Sequence, residues 1–459
     1  MSTGPAQNTR ENRFLTRRIG PLFISTAFPM AIVMSTGGLL NVIDGIFVGR
    51  FASAEALAAV SLAFPIIMLM TALTTLAGGG MSSVLARHLG AGSDREAGTV
   101  FAGAHGLVLA LSAVLIAIAV TAGPAVLSAL AGGYTIVAEL AQNYLLILIL
   151  GAPVQFFLGL HADALRNEGR ATQIAMLSVV VNLLNIGANY LAIVLLGLGV
   201  VGSALGTVVA QTLGLTMVLV LRARDSDLLP LRALWNNSWL MGWRQIITLG
   251  LPLCLTFVGM AFVASTVILV IGSTTADHAT YVAAYGAVTR VLGLAFLPQM
   301  AIALSTQSIT GNNAGAGRMD RANAALRLSM GSAFLWCLSI TLAGVFASET
   351  LGGLFSHNPT VVEAVGTILR PMTALYSITG PVLVLALHYQ ALGHPGRTAA
   401  LTLAKSWLIQ PALLIILGKV SGIEYLWFAF PVADAVMLVI ALSLFLTINE
   451  TKSSAEEVA

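Results

Sequence analysis

One aspartate interrupts a long apolar stretch near the start of the chain. Asp44 lies in NVIDGIFVGR, inside an apolar run that begins near Ile19. A carboxylate in the middle of a membrane helix costs about 2.5–3.5 kcal/mol on insertion scales, so such residues face a cavity or a partner and mark ion pathways. Removal from water disfavours the charged form, which makes reversible protonation possible. Asp44 therefore predicts a site that binds and releases a cation; the alternative is a carboxylate that only fixes helix packing.

The composition places most of the chain in a lipid bilayer. Of 459 residues, 57% are hydrophobic and 9% are charged, whereas soluble proteins contain about 25% charged residues. The mean hydropathy is +0.91. The net charge of +3 comes from basic residues scattered over short loops, and it does not indicate nucleic-acid binding.

The sequence contains no motif of an enzyme or of a metal site. Its two cysteines, Cys254 and Cys337, both fall in apolar segments, so a disulfide framework is not supported. We found no CxxC pair, HExxH, P-loop or GxSxG motif. We therefore do not expect an enzyme, and we expect no cofactor and no bound metal.

Twelve apolar runs are long enough to cross a membrane, because a span needs about 20 mostly apolar residues. With the N-terminus inside, seventeen Lys and Arg residues fall in inner loops and two, Arg50 and Lys419, in outer loops. This bias predicts twelve spans with both termini cytoplasmic. The runs lie near 19–48, 54–86, 97–123, 136–165, 172–197, 200–221, 245–272, 280–309, 325–347, 361–392, 399–418 and 425–448.

The two halves of the sequence repeat. The longest polar break, residues 222–244, separates them, and matching residues recur at offsets of 223 to 227, such as Pro29 with Pro252 and Gly90 with Gly315. Six spans per half give both halves the same orientation. Parallel repeats of this kind build transporters with a cavity at the repeat interface.

The predicted fold is an all-α integral membrane protein with twelve transmembrane helices in two pseudo-symmetric six-helix lobes. Its predicted parts are a cytoplasmic N-terminal tail (1–18), the N-lobe with helices one to six (19–221), a cytoplasmic inter-lobe linker (222–244), the C-lobe with helices seven to twelve (245–448) and a cytoplasmic C-terminal tail (449–459).

Ten short stretches occur in an order and at spacings typical of one transporter family. They are VIDGIFVG, LAAVSLAFPI, HLGAGSDREA, ALRNEGRAT, NIGANYLAI, GVVGSALGTVVAQ, VAAYGAVTRV, ITGNNAGAGRMDRA, QALGHPGRTA and WFAFPVADAV. Through these stretches, which are spread over nearly its whole length, the chain resembles the multidrug and toxic compound extrusion (MATE) family. It is most similar to bacterial branches whose key carboxylates lie in the N-terminal lobe. The resemblance implies a cation-driven exporter of organic, often cationic, drugs.

The resemblance also implies partners for Asp44 on spans five and six, which map to Asn185, Asn189 and Thr207. Asn185 and Asn189 lie four positions apart on one helical face, and Asn182 extends this polar stripe. Many relatives carry a second aspartate at the position of Asn189, so a relay of two acids is not expected in this lobe. The alternative is a set of hydrogen bonds that only joins helices.

Pro29 lies fifteen residues before Asp44 on the same predicted helix. A proline inside a helix removes a backbone hydrogen bond and permits a kink. The resemblance implies a conformational hinge at Pro29, where span one bends when its carboxylate titrates. A static kink is the alternative.

Two coupling ions remain open. A proton needs only Asp44, whereas sodium would use the oxygens of all four mapped residues together with water. The sodium-linked branch of the family carries acids on spans seven and ten, where this chain has Met260 and Pro381. We therefore expect coupling to protons, with sodium at the same N-lobe site as the alternative.

The second half carries charged residues within or near its spans, namely Arg290, Lys405 and Asp434. Buried charges are costly unless they are paired. We expect these three residues to form a structural ion-pair cluster; a role in ion coupling is the alternative.

Residues that could contact the transported molecule are soft and apolar. The chain has 15 methionines, and methionine forms adaptable surfaces suited to promiscuous binding. The candidates on spans expected to line the central cavity are Met34, Phe64, Met68, Met260, Phe262 and Met300.

The sequence thus predicts a secondary antiporter of the bacterial inner membrane. We expect it to export amphipathic organic cations in exchange for protons, with Asp44 as the coupling carboxylate, and to work as a monomer with small molecules and the lipid bilayer as its partners. The alternatives are sodium-coupled export and a flippase of lipid-linked oligosaccharides from the same superfamily.

Overall fold

The computed structural model describes residues 12–275, 277–355 and 358–456. These residues form helices joined by short connections, with no β-strand among them. The prediction of an all-α fold is therefore confirmed. Residues 1–11 of the predicted N-terminal tail and residues 457–459 of the predicted C-terminal tail lie outside the described residues.

The described residues of the first half form ten α-helices, two of which are single turns. They are α1 (Arg13–Thr16), α2 (Ile19–Phe51), α3 (Ala54–Gly90), α4 (Asp94–Thr121), α5 (Gly123–Leu130), α6 (Thr135–Leu150), α7 (Ala152–Asn167), α8 (Ala171–Asn189), α9 (Gly199–Arg224) and α10 (Ala233–Asn236). A π-helical stretch, Tyr190–Leu195, continues α8.

The second half contains the remaining helices among the described residues. They are α11 (Trp243–Thr274), α12 (His278–Gly315), α13 (Met319–Phe346), α14 (Ser348–Gly353), α15 (Pro359–Thr373), α16 (Thr379–Leu392), α17 (Pro395–Leu403), α18 (Gln410–Ser421), α19 (Ile423–Leu426) and α20 (Ala429–Glu456). A π-helical stretch, Ala404–Ile409, joins α17 to α18.

Up to twelve candidate membrane spans, six in each half, lie among the described residues when each bent helix pair is taken as one span. Ten spans are long apolar helical stretches, and two pairs of helices, α6 with α7 and α15 with α16, each bend by 47° at a short break. The runs predicted near 136–165 and 361–392 each correspond to one of these bent pairs, and the breaks themselves were not predicted. At the first break, Pro153 lies in the first turn of α7, where a backbone N–H would have no partner within the helix, so the missing N–H of proline costs nothing. At the second break, a short 3₁₀ turn, Tyr376–Ile378, precedes α16.

The chain packs into two compact units. The first comprises residues 1–250 and 308–325, and the second comprises 251–307 and 326–459. The first unit therefore includes the predicted linker, the end of α12 and the start of α13. Each unit has its own apolar core, centred on residues such as Phe101 and Phe156 in the first and Ile368 and Trp427 in the second.

The predicted inter-lobe linker packs tightly against α4 in the first unit. A β-carbon on Gly106 would lie only 2.0 Å from the carbonyl oxygen of Trp239. A β-carbon on Gly103 would lie only 1.9 Å from the carbonyl oxygen of Met241. The indole Nε1 of Trp243 donates to the carbonyl oxygen of Gly103 at 2.9 Å. Small residues allow this backbone approach, so the glycines of α4 hold the linker in a fixed position.

We predict that Gly106→Ala destabilises the protein. The added methyl would overlap the backbone of Trp239, and overpacking of this kind costs about 1–3 kcal/mol. The apparent melting temperature of the purified protein in detergent is the measurement. Gly331→Ala is the matched control, because a β-carbon on Gly331 would meet open space within α13; equal melting temperatures for the two variants would contradict the close packing.

Candidate cation site

Asp44 projects from α2, which runs unbroken from Ile19 to Phe51 and contains Pro29. The Asp44 side chain is partly buried, and Pro29 is buried. The apolar sequence of α2 allows it to cross the membrane, and its one acidic residue must then find a partner inside the bundle.

The four residues assigned to this site from the sequence form one chain of hydrogen bonds. The amide nitrogen Nδ2 of Asn189 donates to Asp44 Oδ1 at 2.7 Å and to Asn185 Oδ1 at 3.1 Å. Asn185 Nδ2 donates to Thr207 Oγ1 at 3.1 Å. Thr207 Oγ1 in turn donates to the carbonyl oxygen of Ser203 at 3.1 Å. The chain thus connects α2, α8 and α9 and ends on the carboxylate.

Burial makes this arrangement specific. Asn189 is 0% exposed and Asn185 is 2% exposed, so each amide depends on a protein partner. Asn189 can turn one N–H to the carboxylate and the other to Asn185. A hydrogen bond to a charged acceptor is about twice as strong as one between neutral groups. When Asp44 is charged, the Asn189–Asp44 bond is therefore the strongest link in the chain.

Glycines on α9 allow α8 to come close enough for these bonds. A β-carbon on Gly206 would lie 2.2 Å from Asn189 Oδ1, and one on Gly214 would lie 2.5 Å from Val181. Gly202 approaches the backbone of Ala192 in the same way. Sequence reasoning missed Gly206 as a site residue; the spacing of small residues along GVVGSALGTVVAQTLG was the available signal.

Two buried polar atoms near the site have no hydrogen-bond partner in the structure, Asn189 Oδ1 and Asn182 Nδ2. Asn182 therefore lies on the same helix as the stripe but does not extend the chain of bonds. No group of three or more His, Cys, Asp or Glu residues in the described part of the chain could hold a metal ion. The oxygen atoms that the site offers belong to one carboxylate, two amides and a hydroxyl, and such oxygens suit a proton or a hard cation.

The structure pairs two of the three charged residues predicted to cluster in the second half. Lys405 Nζ donates to Asp434 Oδ1, with Asp434 buried. Arg290 is exposed and has no ion-pair partner among the described residues. The predicted cluster is therefore corrected to a pair, because a long arginine side chain can keep its charge at the surface without a carboxylate.

The six residues proposed to contact the transported molecule differ in exposure. Met300 is buried at 7% exposure, whereas Phe64, Met260 and Phe262 are 56%, 47% and 44% exposed. Met34 and Met68 are partly buried. Phe262 stacks on Trp407 in the second unit, with ring centroids 5.6 Å apart. The structure places three of these residues in each unit.

Repeated sets of six membrane spans and a polar site inside the first set define a membrane transport protein. The MatE family model matches residues 29–191 and again residues 252–416, one match in each half of the chain. The protein therefore belongs to the MATE family, whose members are transporters and not enzymes. The resemblance inferred from the sequence is confirmed.

Several known proteins are similar to this chain over nearly its whole length. The FAD transporter of Shewanella oneidensis is 24% identical over 92% of this chain and 93% of its own length. The multidrug export protein MepA of Staphylococcus aureus is 25% identical over 90% of this chain and 91% of its own. A solved transporter of the MOP superfamily from Pyrococcus furiosus, described as having a binding pocket of reverse polarity, aligns with a TM-score of 0.89 at 24% identity over 97% of this chain and all of its own. The last similarity supports the fold alone.

We predict that Gly206→Ala strongly reduces transport. The new methyl would displace the Asn189 side chain and separate its amide from Asp44. We expect at least about a tenfold loss of rate, the equivalent of about 1.4 kcal/mol. Initial rates in vesicles with matched protein content are the measurement.

Gly187→Ala is the control for this prediction, because Gly187 lies on α8 next to the same stripe and a β-carbon there would meet open space. A wild-type rate for Gly206→Ala would mean that the Asn189–Asp44 contact is dispensable.

Proposed function

We propose that the protein is a secondary antiporter that exports amphipathic organic cations in exchange for protons, with Asp44 as the coupling carboxylate. The observation that carries this proposal is the hydrogen bond from buried Asn189 to Asp44 inside a membrane span. The protein is a multi-pass membrane transporter. The basic residues of its predicted inner loops support a bacterial inner-membrane location with both termini in the cytoplasm.

The site offers a direct way to couple protonation to helix position. When Asp44 is charged, Asn189 donates a charge-assisted bond that ties α2 to α8. A neutral carboxyl group is a weaker acceptor, so protonation loosens this tie. A ligand shifts a conformational equilibrium only through its different affinity for the two states, and the tie between α2 and α8 supplies that difference for the proton.

The hydrogen-bond pattern favours a proton over sodium. Asn185 Oδ1 and Thr207 Oγ1 already accept hydrogen bonds from neighbouring amides. The polar chain is thus satisfied without a metal ion, except at Asn189 Oδ1. That one unpaired oxygen beside Asp44 is the specific feature that keeps sodium coupling as the second candidate.

Pro29 remains the proposed hinge of α2. It is buried within the helix, and its ring nitrogen cannot donate to the helix backbone. A helix that lacks one backbone bond bends more readily at that point. Because Asp44 lies on the same helix, loosening its bond to Asn189 would free the segment beyond Pro29 to move.

The cargo proposed here is an amphipathic cation, as the name of the S. aureus relative, a multidrug export protein, also favours. The S. oneidensis relative is named an FAD transporter, which makes an anionic flavin nucleotide the second candidate. Lys405 could favour the anionic candidate, since it is a cation inside the second half of the bundle and its side chain is 27% exposed.

A lipid-linked oligosaccharide is a third candidate cargo. The proposed working unit is a monomer, and no cofactor is required.

We predict that Asp44→Asn abolishes cation efflux driven by a proton gradient. Asparagine matches the size of aspartate but cannot exchange a proton. Uptake of a fluorescent organic cation into everted vesicles is the measurement, first with an imposed proton gradient and then with a sodium gradient alone. Transport by wild type under the proton gradient only is the expected result.

Glu139→Gln serves as the matched control, because Glu139 is an exposed carboxylate near the start of α6. It should transport like wild type. Normal transport by Asp44→Asn would make Asp44 structural, and transport driven by sodium alone would assign the same site to the other ion.

We further predict that the same vesicles take up the organic cation in preference to FAD. Competition provides the measurement: unlabelled organic cations should inhibit uptake of the fluorescent cation, and FAD should not. If FAD inhibits and Lys405→Met removes that inhibition, the cargo is the nucleotide and the cation assignment fails.

A further inference from the structure

A short segment before the first membrane span is buried and held in place. Residues Arg13–Thr16 form the single turn α1, and Phe14 within it is 1% exposed. Asn12 caps this turn by accepting a bond from the Phe14 backbone N–H at 3.0 Å. Because a single helical turn is unstable by itself, its order depends on contacts with the rest of the first unit.

Two arginines at the start of α13, one just before the helix and one in its first turn, bind the backbone of this segment. Arg321 Nη2 donates to the carbonyl oxygens of Phe14 and Arg17 at 3.0 Å and 2.6 Å. Arg318 Nη1 donates to the carbonyl oxygen of Leu15 at 2.8 Å. These are charge-assisted bonds, the stronger class of protein hydrogen bonds.

Asn12 links two further helix ends. Its Nδ2 atom donates to the carbonyl oxygen of Leu89, at the end of α3, at 3.3 Å and to Asn312 Oδ1, near the end of α12, at 2.7 Å. Asn312 is 0% exposed. The segment around α1 therefore contacts both α3, from the first half of the sequence, and α12, from the second.

Beneath the segment, α3 and α12 approach each other through a pair of repeat-related contacts. A β-carbon on Gly90 would lie 1.9 Å from the carbonyl oxygen of Asn312, and one on Gly315 would lie 2.0 Å from that of Arg87. Gly90 and Gly315 are repeat partners, and so are Arg87 and Asn312. The contact is thus nearly self-complementary, as in a two-fold interface.

Buried polar bonds join the same helices deeper in the unit. Arg166 donates to Ser82 Oγ on α3 at 2.8 Å and to Ser308 Oγ on α12 at 3.2 Å. It also pairs with Asp163 at 2.9 Å. Ser82 and Ser308 are both 0% exposed, so solvent does not reach this contact in the present conformation.

We propose that residues 12–17 form a latch that keeps the ends of α3 and α12 together, and that transport requires its release. Carriers built from parallel repeats work by moving one repeat against the other, so the contact between Gly90 and Gly315 must open and close in each cycle. The latch spans that contact and is held by a few side-chain bonds. The stability of the latch therefore determines how often the contact between Gly90 and Gly315 opens.

The test measures how fast a buried cysteine beneath the latch reacts. Ser308→Cys, in a protein that also carries Cys254→Ala and Cys337→Ala, places a thiol of similar size at a position without solvent access. The full-length purified protein is labelled with N-ethylmaleimide. Adding Arg321→Ala should speed labelling about tenfold, which corresponds to about 1.4 kcal/mol less stabilisation of the closed conformation.

Arg327→Ala is the matched control, because Arg327 is an exposed arginine on the same helix, six positions further on. It should leave the labelling rate unchanged. If Arg321→Ala is not monodisperse on size exclusion, Asn12→Ala, which removes the bonds to Leu89 and Asn312, replaces it. An unchanged rate in a well-folded latch variant, or an equal increase with Arg327→Ala, would refute the latch.

Discussion

The hydrogen bond between Asn189 and Asp44 is the constraint on which the first unit depends. A carboxylate within a membrane span is tolerated only where the protein supplies donors to it, and here one buried amide does so at 2.7 Å. This requirement fixes the approach of α8 to α2. It also requires glycine at position 206, since any side chain there would occupy the space of the Asn189 carboxamide. Charge, helix packing and backbone composition thus depend on one another.

Close contacts at glycine recur at several places where segments of the first unit pack together. Lipid offers no hydrophobic drive for helices to associate, so membrane helices rely on van der Waals packing of small residues. Gly106 receives the linker, Gly206 receives the site amide, and Gly90 with Gly315 brings α3 to α12. Alanine would be too large at each position. At these positions glycine therefore serves close packing and not flexibility.

Hydropathy and charge bias predicted twelve spans because each span is long and apolar enough to be identified locally, and residues that recur at a constant offset predicted the repeat. Family resemblance predicted that Asp44, Asn185, Asn189 and Thr207 meet, and spacing alone supported only the two asparagines. The bends after α6 and α15 and the exposure of Arg290 were not predictable. They depend on tertiary packing, which decides whether a helix continues past a proline and whether a long side chain reaches a carboxylate.

The two halves share a backbone plan but differ in their polar chemistry. In the first half, a chain of amides and a hydroxyl on the fifth and sixth spans ends on the Asp44 carboxylate, which forms no ion pair with another described residue. On the eleventh and twelfth spans, Lys405 already neutralises Asp434. An acid held by a lysine is a poor receptor for a second cation, since binding would leave the ammonium group uncompensated. This asymmetry supports the proposal that the exchangeable charge lies in the first half.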